Sequence, residues 1–237
     1  KDIVKRNNIR DVDMLERIIA YITANIGTTF SATAISKYLK SENRVVAPET
    51  ILNYIKSCED AFLFYRVKRQ DIQGKKVLAT NEKYYIADHG IREAIYGNNM
   101  RDINLTLENI VFMEMLRRGY EVTVGKADAN EIDFICEKQG NKIYLQVCYL
   151  LASEETVRRE FGVYERIKDN FPKYVICIGS VCSSTTFVRC NLGIANSSNR
   201  MVMLILSPGS SCSKSAWMVS QFNSIKSLTR SLNSVVA

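Results

Sequence analysis

The sequence predicts an α+β protein, in which a helical region with a β-hairpin precedes a small mixed α/β domain. Two observations support this prediction. Apolar side chains recur at helical spacing between residues 11 and 61, and short strand-like runs separated by Gly and polar turns follow residue 119. The chain has 237 residues, of which 46% are hydrophobic, and this suffices for one large or two small domains with buried cores.

Three helices are predicted in the first quarter of the chain. Residues 11–25 (DVDMLERIIAYITAN) form the first helix, and Gly27 stands where a C-terminal cap belongs. Ser31 can cap the N-terminus of the second helix, and Pro48 suits the first turn of the third.

A β-hairpin follows the helices, because two strand-like runs at residues 62–68 and 77–86 flank a turn at Gly74. Three short helices followed by a hairpin are the element order of a winged helix. We therefore assign residues 1–97 to a winged-helix region.

Residues 98–176 predict a mixed α/β domain. An amphipathic helix at residues 103–118 ends at Gly119, and three strands follow in YEVTVGK, EIDFICEK and KIYLQVCYLL. A helix at residues 154–170 and a strand at residues 173–178 complete the order α-β-β-β-α-β.

We compare this domain with metal-dependent nucleases of the PD-(D/E)XK type. Such a site needs an Asp and a Glu on adjacent strands to hold Mg²⁺, and a Lys to steady the attacking water. Asp133 lies on the second strand with Glu131 on the same face, and Glu108 precedes them in the helix. The E-x-K positions hold Gln146 and Cys148, which supply neither the negative charge of Glu nor the positive charge of Lys. The sequence therefore predicts a restriction-endonuclease-like domain with a degenerate catalytic site, in which Glu108 and Asp133 are weak metal ligands.

The third helix and the hairpin are the predicted nucleic-acid contacts. The third helix of a winged helix lies in the major groove, and basic hairpin residues contact phosphates. Packing of the hairpin on a neighbouring domain is the alternative role for these charges. The residues predicted to contact DNA are Thr50, Asn53, Lys56, Lys68, Arg69, Lys75 and Lys76.

The composition changes at residue 177. Residues 177–237 hold 15 Ser and no Asp or Glu, against five Ser in residues 1–176. The net charge of +7 consequently falls to +2 for residues 1–176, so the basic overall balance is weak evidence for nucleic-acid binding. A disordered Ser-rich tail and a lost reading frame both explain residues 177–237. We favour the second, because MVMLIL and AWMV are too apolar for a linker.

The expected compartment is the cytoplasm. Every apolar run is shorter than the roughly 18–20 residues of a membrane helix, and the first residues lack the apolar stretch of a signal peptide. The first residue is Lys1 and not Met, so we expect the chain to be part of a longer protein. Seven cysteines without a CxxC pair, and one histidine, His89, predict reduced thiols and no zinc site.

Several separated stretches resemble a known family. They occur in order between Asp2 and Ile176, as DIVKRNNIRD, FLFYRVKRQDIQGKKVL, KYYIADHGIR, LENIVFMEMLRRGYEVTVGK, EIDFICEKQGNKIYLQVCYLL and REFGVYERIKDNFPKYVI. Together they resemble the C-terminal half of bacterial and archaeal AAA+ superfamily ATPases that carry the domain of unknown function 4143. After PKYVI the sequence departs from the family pattern.

The resemblance implies a winged helix followed by a PD-(D/E)XK-like domain. It also implies an N-terminal ATPase domain, outside these 237 residues, that binds ATP and Mg²⁺, so no cofactor is expected in this chain. Family members similar to this one commonly lack the E-x-K pair, which makes Gln146 and Cys148 look like a subfamily trait.

The expected function is a non-catalytic region of an AAA+ family ATPase that binds DNA or a partner protein. Double-stranded DNA, the ATPase domain of the same protein and a second copy are the expected partners. Two alternatives stay open, a metal-dependent nuclease with an atypical site and an oligomerisation or docking module.

Overall fold

The structure is a computed structural model that describes residues 2–72, 76–97, 102–127, 130–151, 153–178 and 201–206. Seven α-helices and seven β-strands lie in this described part. The helices are α1 (Asp2–Arg6), α2 (Val12–Ala24), α3 (Ala32–Ser41), α4 (Pro48–Asp60), α5 (His89–Tyr96), α6 (Ile103–Arg117) and α7 (Glu154–Gly162). The strands are β1 (Phe64–Asp71), β2 (Lys76–Ile86), β3 (Glu121–Ala127), β4 (Asn130–Lys138), β5 (Asn141–Cys148), β6 (Lys173–Ile178) and β7 (Met201–Leu206).

Capping side chains set the beginnings of α2 and α3, and a proline sets that of α4. The Asp11 carboxylate accepts the Met14 N–H at 2.9 Å, and the Ser31 hydroxyl accepts the Ala34 N–H at 3.2 Å. Pro48 occupies the first turn of α4, where its missing N–H has no cost. The three predicted helices and the Ser31 cap are therefore confirmed.

Gly27 does not cap α2, so this prediction is wrong. The helix ends with Asn25 as its cap, and Gly27 has a φ of 70° and donates its N–H to the Tyr84 carbonyl at 2.9 Å. Glycine adopts this left-handed conformation without a steric penalty. The hydrogen bond attaches the loop between α2 and α3 to β2.

All strands belong to one mixed sheet in the order β2-β1-β3-β4-β5-β6-β7. The β1–β2 hairpin is antiparallel, and residues 69–71 of β1 pair in parallel with residues 124–126 of β3. Strands β3, β4 and β5 form an antiparallel meander, and β6 and β7 continue the sheet in parallel with β5. The predicted α+β class is confirmed, and the hairpin continues the sheet of the α/β region. The winged-helix and nuclease-like assignments and the three domain boundaries stay predictions.

A β-bulge in β4 changes the direction of one acidic side chain. The register shifts by one residue between Thr123 and Gly125 of β3, so Asp133 and Phe134 of β4 lie opposite Val124 alone. Bulges re-aim side chains and are frequent beside functional sites. The strict alternation from which Asp133 and Glu131 were predicted to share a face is therefore interrupted at Asp133.

Three apolar clusters bury the core. The helical cluster joins α2, α3 and α4 to the start of the hairpin. The α6 cluster, which includes Phe112, Phe134 and Leu145, covers one face of the sheet. The α7 cluster, which includes Ile135 and Phe161, covers the opposite face, because alternate residues of a strand point to opposite sides.

The remaining predictions differ in outcome. The helix α6 is confirmed, whereas α7 is shorter than residues 154–170, since it ends at Gly162 and continues only as a 3₁₀ turn, Val163–Arg166. The predicted turn at Gly74 lies outside the described residues. No helix in the described part of the chain is long and apolar enough to cross a membrane.

Candidate functional site

The site lies where α6 meets the second strand of the hairpin. Asn109 of α6 is buried, and its side-chain oxygen accepts the Ile86 N–H at 2.8 Å while its amide donates to the Ile86 carbonyl at 2.9 Å. The carboxamide thus pairs with β2 as a neighbouring strand would. This pairing fixes the register between α6 and β2, and it brings Glu108 beside Lys83 and Tyr85.

Glu108 is held by three elements. Lys83 Nζ lies 3.1 Å from Glu108 Oε1, and the Tyr85 hydroxyl donates to the same oxygen. A Cβ at Gly27 would lie 3.4 Å from Glu108 Oε1, so the glycine lets the loop after α2 approach the carboxylate. The side chains of Lys83 and Glu108 are only 6% and 12% exposed, which makes this a largely buried ion pair.

Glu131 completes a chain of opposite charges. Lys83 Nζ lies 2.5 Å from Glu131 Oε1, and an Arg69 guanidinium nitrogen lies 3.1 Å from Glu131 Oε2. Both cations come from the hairpin, while Glu108 and Glu131 come from α6 and β4. We call the group formed by Arg69, Lys83, Glu108, Glu131 and Asp133 the charge cluster.

Asp133 is bound mainly by the backbone of β5. Its Oδ2 accepts the Val147 N–H at 2.7 Å, and its own N–H donates to Gln146 Oε1 at 3.3 Å. Burial, followed by the nearby charge of Glu108, raises the pKa of Asp133 well above its ordinary value, although Lys83 opposes the shift. Burial therefore disfavours the ionised form of the Asp133 carboxyl group.

The charge cluster is balanced without any external ion. Burial acts to lower the pKa of Lys83, but Glu108 and Glu131 outweigh it and raise the pKa, so the ammonium stays charged. The two carboxylates that form these ion pairs, Glu108 and Glu131, face the two cations Lys83 and Arg69. No group of three or more His, Cys, Asp or Glu side chains able to hold a metal occurs among the described residues.

A divalent metal does not fit the charge cluster as it stands. Mg²⁺ is held by ionised carboxylates and by water, yet here Glu108 and Glu131 are each paired with an internal cation, and burial disfavours the ionised form of Asp133. Gln146, the residue at the Glu position of the motif, uses its side-chain oxygen for the Asp133 N–H. The predicted metal ligands Glu108 and Asp133 thus lie in one cluster, but in an arrangement that does not favour a cation.

The α7 side of the site holds a second group of buried polar residues. Cys148 is buried in the α7 cluster beside Cys177. Glu160 is also buried and is paired with Arg159 at 2.8 Å, and the Tyr164 hydroxyl donates to the Tyr174 carbonyl at 2.7 Å. Cys148 therefore has thiol, carboxyl and phenol neighbours on this side.

The predicted DNA contacts divide into three groups. Thr50, Asn53 and Lys56 are exposed on α4, and Lys68 is exposed on β1. Arg69 points the other way, into the charge cluster. Lys75 lies outside the described residues, as does the side chain of Lys76.

Comparisons with known proteins find a family model and relatives that have no described function. Residues 1–102 match the model of a domain of unknown function, DUF8612. The chain is 41% identical over 175 residues to an uncharacterized protein of Haemophilus influenzae, an alignment that covers 74% of this chain and 43% of that protein. It is 31% identical over 178 residues to the uncharacterized protein MJ1544 of Methanocaldococcus jannaschii, with 71% and 38% covered. The chain thus spans about two fifths of the length of these relatives.

Sequence reasoning missed the residues that decide the electrostatics of the site. Lys83 and Tyr85 lie in KYYIADHGIR, one of the stretches that carry the resemblance, but no role was assigned to them, and Arg69 was assigned to phosphate contacts. One signal was present, because residues 83 and 85 alternate along β2 and must share a face. Nothing in the local sequence shows that this face meets α6.

Proposed function

We propose that this chain is a non-catalytic binding region of a longer, ATP-driven protein of the AAA+ type, with a nuclease-like site that has lost its chemistry. The observation that carries the proposal is the balanced charge cluster. Lys83 and Arg69 neutralise Glu108 and Glu131 at the place where a nuclease would use its acids. The coverage of about two fifths of each relative supports a longer protein.

A plasmid cleavage assay tests the loss of chemistry. The purified chain is incubated with supercoiled plasmid in Mg²⁺ and in Mn²⁺, beside an Asp133→Ala variant prepared in parallel. We expect equal, background nicking from both proteins. Cleavage by the native chain that is abolished by Asp133→Ala would contradict the proposal.

DNA is the partner that we propose for the exposed face of α4 and the edge of the hairpin. Asn53 and Lys56 are exposed on α4, and Lys68 is exposed on β1. Glu49 and Asp60 are exposed on α4 as well, so the attraction to phosphate is modest. We therefore expect weak binding that falls steeply with salt.

Fluorescence anisotropy with a labelled duplex tests DNA binding. Lys56→Glu should weaken binding at least several-fold, whereas Lys168→Glu makes the same charge change at an exposed position beyond α7 and should matter little. Binding without salt dependence, or an equal loss from both variants, would count against DNA. A protein partner would then be the remaining form of the proposal.

A metal-dependent nuclease is the second candidate, because Lys83 brings a cation to a site whose motif lacks one. Its ammonium lies 3.1 Å from Glu108, although it comes from the hairpin. Lys83→Met separates the two candidates in the same plasmid assay. If the chain is a nuclease, cleavage should depend on both Lys83 and Asp133. If it is non-catalytic, neither substitution should change the background nicking.

A further inference from the structure

Two thiols lie side by side at the end of the sheet. Cys148 of β5 is the register partner of Cys177 of β6, and both are free thiols that are only 5% and 3% exposed. Both belong to the α7 cluster, so their side chains leave the same face of the sheet. Because β6 extends to Ile178, Cys177 is part of the strand and not of the region beyond it.

The backbone geometry suits a bond between the two sulfurs. Neighbouring strands lie about 4.8 Å apart, and the Cα atoms of disulfide-linked cysteines are usually about 4.4–6.8 Å apart. Their Cβ atoms must approach to about 3.8 Å, which requires a small movement. Cys148 is the last residue of β5 and Cys177 the last but one of β6, where the chain yields most easily.

The two thiols are not equivalent. The Cys148 thiol donates a hydrogen bond to the Cys177 sulfur, and this bond lowers the pKa of Cys177 while it raises the pKa of Cys148. The thiolate is the nucleophile in thiol chemistry. The hydrogen bond thus favours Cys177 over Cys148 as the attacking sulfur, and the strand register places Cys148 beside it.

We propose that Cys148 and Cys177 are an oxidation site that forms a reversible disulfide with a hydroperoxide. The Cys177 sulfur attacks one peroxide oxygen, the O–O bond breaks, and the other oxygen leaves with the thiol proton as water. The Cys148 sulfur then attacks the resulting sulfenic acid, the S–O bond breaks, and a second water carries away the Cys148 proton. Two thiols lose two electrons, and hydrogen peroxide is reduced to two waters.

The disulfide is selective because of where the other described cysteines lie. Cys58 is buried in the helical cluster, and Cys136 in the α6 cluster on the opposite face of the sheet. Neither shares a cluster with the pair. The bond would tie β5 to β6 two residues beyond Gln146, and the inference does not depend on the proposed function.

Peroxide treatment followed by peptide mapping tests the pair. The full chain carries Cys182→Ser, Cys190→Ser and Cys212→Ser, so that cysteines outside the described residues do not react. It is treated with a few equivalents of hydrogen peroxide under native conditions, alkylated during unfolding and digested with trypsin. We expect a disulfide between peptides 143–158 and 174–189, a mass loss of two hydrogens, and full reversal by dithiothreitol.

Two comparisons make the result decisive. Cys148→Ser should leave Cys177 as an alkylated thiol or a sulfenic acid with no cross-link, and circular dichroism on that variant checks its fold. The treatment is also repeated in urea. A cross-link that forms only in urea, or that joins Cys58 or Cys136 equally well, would overturn the proposal, as would the absence of any cross-link in the native chain.

Discussion

Asp133, the residue at the predicted metal-ligand position, is held by the backbone of a neighbouring strand. Its carboxyl group accepts a backbone N–H from β5, and burial raises its pKa well above the ordinary value of 3.8. Mg²⁺ binds the ionised form of a carboxyl group, which burial disfavours here. This environment is the reason why we propose a structural role for Asp133.

Asp133→Asn is predicted to stabilise the protein more at high pH than at low pH. In the unfolded chain Asp133 ionises near pH 3.8, whereas in the folded chain it keeps its proton, so stability falls as pH rises between the two pKa values. Asn removes this dependence and can still accept the Val147 N–H. Urea unfolding at about pH 4.5 and about pH 8 should show a larger gain at the higher pH. Asp60→Asn on the exposed face of α4 is the control, and an equal destabilisation by Asp133→Asn at both pH values would contradict the assignment.

Lys83→Met is predicted to lower the free energy of unfolding by about 3–5 kcal/mol. The change removes one cation from two carboxylates, one of which is only 12% exposed, and leaves their charge uncompensated. Adding Glu108→Gln should recover part of the loss, because the unpaired charge disappears. Arg17→Met breaks surface pairs with Asp13 and Glu42 and should cost much less than Lys83→Met. Similar losses from Lys83→Met and Arg17→Met would mean that the charge cluster is not buried as described.

At the scale of elements, the contact between α6 and β2 positions the charge cluster. Asn109 holds the two in register, and the bulge in β4 turns Asp133 toward β5. The loop after α2 lies against Glu108 at Gly27, whose φ of 70° favours glycine. Elements that are distant in sequence therefore determine one site.

Asn109→Ala is predicted to cost about 2–4 kcal/mol, because the Ile86 N–H and carbonyl lose their partners while they stay buried. Asn53→Ala removes the same group from the exposed face of α4 and should change stability by about 0.5 kcal/mol or less. Hydrogen exchange provides a second measurement. Protection of the Ile86 amide should fall in Asn109→Ala, and unchanged protection would show that the carboxamide does not hold the strand.

Element positions followed from the sequence, whereas the electrostatics of the site did not. Apolar periodicity and caps located α2, α3, α4 and α6, since these signals are local. Glu108 and Asp133 were matched to a motif, and the structure brings them into one cluster. The pairing of Arg69 with Glu131 spans 62 residues, and only the packing of the hairpin against β3 creates it. A local sequence pattern does not reveal a contact between residues so far apart in the chain.

At the scale of the whole molecule, one sheet joins the hairpin to the α/β region. The cations of the hairpin therefore lie beside the acids of α6 and β4. The ion pairs of the charge cluster join the hairpin to the α/β region in addition to the strand pairing. The proposal of a non-catalytic binding region rests on this arrangement.

The measurement that tests this account most directly is a titration of the native chain with Mn²⁺, followed by electron paramagnetic resonance of the free ion. We expect no saturable site, because Lys83 and Arg69 already neutralise Glu108 and Glu131 and burial disfavours the ionised form of Asp133. Asp133→Asn should give the same curve. One Mn²⁺ bound per chain, and lost in Asp133→Asn, would contradict the central claim and make the metal-dependent nuclease the better description.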